Sequence, residues 1–170
     1  MKSDRAERSR NGGVDPIPLP IGTGGLWLCG KHFIGPDPEA ALARVGGSTV
    51  VCLNEAAEFA ERYPAYHGWL VANVPVRAIW FPVPDLHAPD LDPMLDLLRQ
   101  MHDRLEAGEV LLVHCGDGIG RAGTVAAALL ITLGLSLEDA IVTVAEHRPM
   151  AGPEAGTQRE LLELLAAGSR

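Results

Sequence analysis

The stretch HCGDGIGRAGT, His114 to Thr124, decides how this chain is read. It follows an apolar run, Val110 to Val113, that predicts a buried strand. It opens a segment, Thr124 to Leu133, so apolar that it predicts a helix covered on most sides. Between Cys115 and Arg121 lie five residues, three of them glycine. Gly116, Gly118 and Gly120 can take up positive φ angles, so a ring of backbone N–H groups can turn inward around an oxyanion. The following helix N-terminus adds partial positive charge and unpaired donors. Arg121 supplies a planar fork that grips two oxygens of a phosphate at once. A cysteine attacks as its thiolate, the form such a setting favours. These residues predict an anion trap with a sulfur nucleophile at its floor, suited to phosphoryl transfer.

With histidine in front, Gly118 inside, a strand before and a helix after, the string resembles the HC-x5-R signature of cysteine-dependent protein tyrosine phosphatases. It is most similar to the small dual-specificity members. The resemblance implies a phosphocysteine intermediate that is then hydrolysed, with Cys115 as nucleophile and Arg121 as phosphate clamp. It also implies a phosphate-binding loop of His114, Gly116, Asp117, Gly118, Ile119, Gly120 and Arg121, whose shape His114 helps to hold. The stretch FPVPDLHAPD, Phe81 to Asp90, resembles the family's general-acid loop, an aspartate with a proline four residues later: Asp85 and Pro89. A proton donor is needed there because an alkoxide or phenoxide leaves phosphorus slowly without one. Read alone, Asp85 is a turn residue between prolines. Gln158, following Arg148–Pro149, is similar to a glutamine that positions the hydrolytic water in many relatives; an ordinary solvent-facing glutamine is the alternative. The resemblance implies no cofactor.

Rival readings use the same residues. Gly118, Gly120 and Gly123 spell G-x-G-x-x-G, a dinucleotide fingerprint, which requires an acidic residue ending a strand about twenty positions on. The acids found there, Glu138 and Asp139, instead follow Ser136 in the first turn of a helix. A rhodanese-type sulfurtransferase would have no use for Asp85. The stronger rival is a phosphate-binding module, or a slow phosphatase. It is motivated by Ala122, since most of the family carries Ser or Thr after the arginine, and that hydroxyl stabilises the departing thiolate. Thr124 is a candidate substitute. Asp117 predicts repulsion of highly phosphorylated substrates, because phosphoinositide-directed relatives tend to be basic there. Cys52 is either a core residue or, as in lipid-phosphatase relatives, an oxidative partner of Cys115.

The chain has 170 residues, 47% hydrophobic and 21% charged, with a formal net charge of −8. That is enough for one domain with a sizeable core. The expected division is a disordered polar tail over residues 1–15 and a single catalytic domain over 16–170. The acidic balance argues against nucleic acid and anionic membranes as partners. No apolar stretch is long enough for a membrane span. Three cysteines fit no disulfide framework, and a cytoplasmic location is expected. His67, His87, His102 and His147 are scattered and predict no metal site. The expected partner is a phosphorylated protein or small phosphoester, with the oligomeric state left open.

The scaffold reads as α/β, a mostly parallel central sheet flanked by helices. Ile17–Ile21 and Leu26–Cys29 predict an opening hairpin, and Asp37–Pro38 a helix that stops near Gly46. Thr49–Leu53 and Trp69–Val76 predict strands. Asp92–Pro93 open a helix with a stripe of Leu95, Leu98, Met101 or His102, and Leu105. Ser136 and Asp139 start another that ends before Pro149, and Thr157 with Glu160 starts the last, striped by Leu161, Leu164 and Leu165. The compact dual-specificity type lacks long recognition insertions, which implies a shallow pocket flanked by Trp80, Phe81 and His87.

Overall fold

The computed structural model describes residues 4–168. Its strands are β1 (Val14–Ile17), β2 (Gly25–Gly30), β3 (Thr49–Cys52), β4 (Ala78–Trp80) and β5 (Val110–Cys115). They form one sheet in the order β1-β2-β5-β3-β4, antiparallel between β1 and β2 and parallel elsewhere. The strand that delivers Cys115 is therefore central, with Gly30 opposite Cys115 on one side and Cys52 opposite His114 on the other. Every side chain of β5 beyond Val110 is buried, as its unbroken apolar run requires.

Helices cover both faces. They are α1 (Arg5–Asn11), α2 (Lys31–Ile34), α3 (Pro38–Val45), α4 (Pro64–Asn73), α5 (Leu91–Glu106), α6 (Gly120–Thr132), α7 (Leu137–His147) and α8 (Gly156–Gly168). Leu111, Val113 and Cys115 point to the face packed by α5, α6, α7 and α8. Leu112 points to the other, packed by α2, α3 and α4. This is the period-two alternation of a strand. Helix α6 is buried at every position from Gly120 to Ile131, so the loop between β5 and α6 is anchored at both ends in the core. Asp37 caps α3 by accepting from Ala40 N, and Ser136 caps α7 by accepting from Asp139 N.

Several expectations need correction. Residues 4–15 are ordered as α1 and the start of β1, while Met1–Ser3 of the expected tail lie outside the described residues. Order there comes from Asp15, a fully buried carboxylate bonded by Arg8 and Arg148. The first hairpin strand lies at Val14–Ile17, ahead of the predicted Ile17–Ile21, because Pro18 and Pro20 cannot donate to a ladder and Ile21 is exposed. Trp69–Val76 is not a strand. Pro64 starts α4, Tyr66 and Leu70 lie one turn apart on its buried face, and Val71, Val74 and Val76 face solvent. The stripe of α5 is Met94, Leu97, Leu98, Met101 and Leu105, leaving Leu95 exposed. In α8, Leu162 takes the core place expected of Leu164. His102 sits on α5 with its Nε2 3.8 Å from a Glu106 carboxylate oxygen.

Candidate active site

Loop 116–119 turns the chain from β5 into α6, and its carbonyls are held from outside. Lys31 N donates to Gly116 O at 2.9 Å. Arg148 donates from Nη2 to Asp117 O at 2.9 Å and from Nε to Gly118 O at 2.8 Å. Gly152 N donates to Ile119 O at 3.1 Å, and the Thr124 hydroxyl donates to Gly120 O at 2.7 Å. In a planar trans peptide the N–H points opposite to the carbonyl before it. Carbonyls fastened outward therefore turn the N–H groups of residues 117–121 toward the inside of the loop. Of the three expected glycines only Gly118 has positive φ, at +73°, and a side chain there would collide with the Cys29 carbonyl.

Arg121 is 4% exposed and sits where several charges converge. Glu58 grips its fork from behind, accepting from Nη1 at 2.8 Å and from Nη2 at 2.6 Å. Val83 O accepts a further bond from Nη1 at 2.7 Å, and an Asp85 carboxylate oxygen lies 3.6 Å from Nη2. The Arg121 Nε is buried and has no partner among the described residues. Burial works to lower the Arg121 pKa, but Glu58, Cys115 and Asp85 outweigh it and raise it above its ordinary value. The charge is permanent, and two of its five N–H donors, that of Nε and the second of Nη2, are left for an incoming anion.

Glu58 is the functional residue that sequence reasoning missed. It ends a 3-10 turn, Ala56–Glu58, just beyond β3. Its carboxylate also accepts from Asn54 Nδ2 and Glu55 N, and its carbonyl accepts from Lys31 Nζ. Burial alone would raise its pKa, yet the bonds from Arg121 and Glu55 and the arginine charge hold it below the usual carboxylate range. A Glu-x-x-Glu pair after a strand was the available signal, but nothing local tied it to an arginine sixty-three residues away.

His114 is fully buried, its Nε2 2.6 Å from the Tyr66 hydroxyl of α4. Burial pushes the imidazole down to about 4, so it is neutral at neutral pH. The ring and Tyr66 anchor the end of β5 from the face opposite Cys115. Cys115 itself is 3% exposed. Cys52 lies with Tyr66 on the opposite face of the sheet from Cys115, and burial raises its thiol to about 12. That placement, in a different core cluster from Cys115, fits the core role.

Asp85 is exposed on its loop, its Oδ1 accepting from Leu86 N and its carbonyl 2.8 Å from His87 Nδ1. Gln158 is 1% exposed and does not face solvent. Its Oε1 accepts from Glu154 N and Ala155 N just ahead of α8, and its Nε2 donates to His87 O at 3.2 Å. The glutamine therefore ties α8 to the Asp85 loop, with both ends of its amide engaged. The hydroxyl of Thr124, the candidate substitute for the one missing at position 122, donates to Gly120 O within α6. Trp80 packs on Phe59 and His67, and Phe81 packs against the core, leaving His87 the exposed one of the three expected rim residues. Asp117 lines an open groove of about 350 Å³ with Arg8, Arg10, His32 and Arg148. One group of convergent metal-ligand atoms occurs among the described residues, His102, Asp103 and Glu106 on α5, and none belongs to this loop. Arg121 thus lies 3.6 Å from Asp85 and close enough to Cys115 for their charges to interact.

Known proteins carry the same architecture. Residues 36–165 match a family described as the DSP-PTPase phosphatase domain of Swiss Army Knife proteins, PTP-SAK. Human dual specificity phosphatase 28 is 31% identical over 161 residues, spanning 92% of this chain and 84% of that protein. A putative tyrosine phosphatase, 123R of Invertebrate iridescent virus 6, is 32% identical over 90 residues, 52% of this chain and 63% of its own length. The crystal structure of Tk-PTP in its active form superposes with a TM-score of 0.66 at 30% identity, covering 86% of this chain and 93% of that one. That of human DUSP28 gives 0.65 at 25% identity, covering 90% and 97%. Both motifs lie within the matched region, and the chain belongs to the small dual-specificity phosphatases of the cysteine-dependent protein tyrosine phosphatase superfamily.

Proposed function

We propose that this phosphatase works through a phosphocysteine on Cys115, with Arg121 as clamp and Asp85 as general acid. The observation that carries it is the convergence on Arg121: the Asp85 carboxylate at 3.6 Å, the charge interaction with Cys115, and a buried, unpartnered Nε. The Cys115 thiolate attacks phosphorus, the bond from phosphorus to the ester oxygen breaks, and Asp85 gives its proton to the departing oxygen. Inward N–H groups and Arg121 hold the three spectator oxygens. Water then attacks the phosphocysteine, the S–P bond breaks, inorganic phosphate leaves, and Asp85 recovers a proton. An acid quench during turnover of p-nitrophenyl phosphate, followed by peptide mass mapping, tests this. Phosphate on Cys115, absent from Cys115→Ser, is the expected result; turnover with no phosphate on that residue overturns it.

Ala122 supports a slow second step. No hydroxyl stands at position 122, and that of Thr124 is committed elsewhere. Removal of such a donor costs about 1–3 kcal/mol. A phosphate-binding module that never turns over is the limiting case, and absence of hydrolysis of every aryl phosphate would establish it. The substrates are phosphorylated proteins or small phosphoesters with one phosphate at the site, a preference supported by exposed Asp117 in the loop. The net charge of −8 argues against nucleic acid or anionic lipid surfaces as partners. No helix among the described residues is long and apolar enough to cross a membrane. Three free, buried cysteines fit a reducing compartment such as the cytoplasm.

A further inference from the structure

We propose that Asp15 and Arg148, braced by Arg8 of the N-terminal helix, are positioning residues for the phosphate loop and set its affinity for the transferred phosphoryl group. The proposal rests on the phosphocysteine reading above and adds residues outside both motifs.

Arg148 is a large cation with 2% exposure, at the end of α7 where that helix packs against β1. A buried guanidinium must have its donors used and its charge balanced. Two of its bonds go to consecutive loop carbonyls, Asp117 O and Gly118 O. A third reaches Asp15 Oδ2 at 2.9 Å and a fourth Gly13 O at 3.3 Å. Asp15 is itself fully buried, and its other oxygen accepts from Arg8 Nη2 at 2.6 Å. One carboxylate thus joins the guanidinium behind the loop to a helix at the N-terminus.

The two carbonyls bonded by Arg148 belong to the peptides whose N–H groups are those of Gly118 and Ile119. Peptide planarity makes each carbonyl outward and its N–H inward together. Gly118 is in the left-handed region, where a glycine peptide can rotate without a side-chain barrier, so outside restraint must fix its orientation. Rotation of either peptide would exchange a donor for a carbonyl dipole facing the phosphoryl oxygens. Arg148 blocks both rotations, and Asp15 fixes the plane in which its fork lies. Lysine cannot reproduce this, being a point donor without the planar fork.

The test measures orthovanadate affinity, and kcat and KM for p-nitrophenyl phosphate, in wild type, Arg148→Lys, Asp15→Asn and Arg8→Met. All measurements are made well below each variant's melting temperature. Misaimed oxyanion donors cost on the order of 10²-fold in rate. Arg148→Lys is expected to lose about that much in kcat/KM, with vanadate binding weakened in parallel. Asp15→Asn is expected to lose about tenfold, and Arg8→Met, a half-buried brace, about threefold. A lower melting temperature with unchanged vanadate affinity and kcat/KM in the folded variants would overturn the proposal. If Arg148→Lys does not fold, Asp15→Asn and Arg8→Met carry the same decision. A wild type that neither hydrolyses the ester nor binds vanadate would instead refute the phosphocysteine reading itself.

Discussion

Replacing Glu58 by glutamine removes the counter-charge from a nearly buried arginine while leaving its shape intact. The Arg121 side chain is 3% exposed and that of Glu58 22%, joined by contacts of 2.6 and 2.8 Å. Breaking a fully buried pair from one side costs about 3–5 kcal/mol, and an exposed pair is worth about 0–1. Glu58 faces solvent on one side and glutamine keeps one acceptor, so the loss expected is about 2 kcal/mol. In a chain of this size that is a fall of roughly 4–8 °C in Tm. Orthovanadate, entering as an anion on the same guanidinium, supplies the charge that the variant lacks. Its stabilising shift is therefore expected to be larger in Glu58→Gln than in wild type, at matched saturation, by differential scanning fluorimetry. The difference also depends on pH. The folded carboxyl lies below the usual range, so its contribution is complete above the unfolded value of about 4.3 and is lost as pH falls through the folded one. The two stability curves should converge in acid. Equal vanadate shifts, or a gap that persists at low pH, would refute the view that Glu58 acts on Arg121 by charge.

Ala122→Ser restores a hydroxyl at the helix start; worth about 1–3 kcal/mol, it should speed phosphoenzyme breakdown roughly 5- to 150-fold. The readout is a steady-state rate that rises toward the burst rate, and no change would show that the missing donor is not limiting. Gln158→Ala releases the Asp85 loop from α8, so kcat/KM, which reports the first step, should fall about tenfold for poor leaving groups and little for p-nitrophenol. An equal fall for both would argue against a link to the acid. His114 has a folded pKa of about 4 against 6.5 for the free side chain, so the unfolded chain binds the extra proton first. Stability should decline by up to about 1.4 kcal/mol per pH unit as pH falls between those values, and His114→Gln should lack that slope. Urea titrations across that range measure it.

What was legible in the sequence is what is contiguous in it. β5, the loop and α6 follow one another directly, and Asp85 is marked by the proline four residues on. Nothing local ties Glu58 to Arg121, or Arg148 to Asp15 and the loop, because the fold brings these partners together from distant parts of the chain. β3 lies beside β5 although about sixty residues separate them, and it places Glu58 behind Arg121. Asp15 meets Arg148 across 133 residues. A polar opening segment reads as a tail when the burial of its carboxylate depends on an arginine near the other end. The apolar run of α4 misled for a related reason: Trp69, Leu70 and Val71 look like a strand until Pro64 is taken as a first-turn residue.

The arrangement also bears on which half of the reaction is better equipped. For attack on the ester, Arg121 has a fixed fork and a free Nε, and Asp85 lies within 4 Å of it. For release of the thiolate, the hydroxyl at position 122 is absent and Thr124 has turned to its own helix. The amide of Gln158, the candidate for holding water, is engaged at both ends by the α8 start and the Asp85 loop. Donors that serve the first step are therefore in place, while those that would serve only the second are missing or occupied. The proposed mechanism therefore predicts that phosphocysteine accumulates during turnover and that the steady-state rate follows its breakdown more closely than the affinity for its ester.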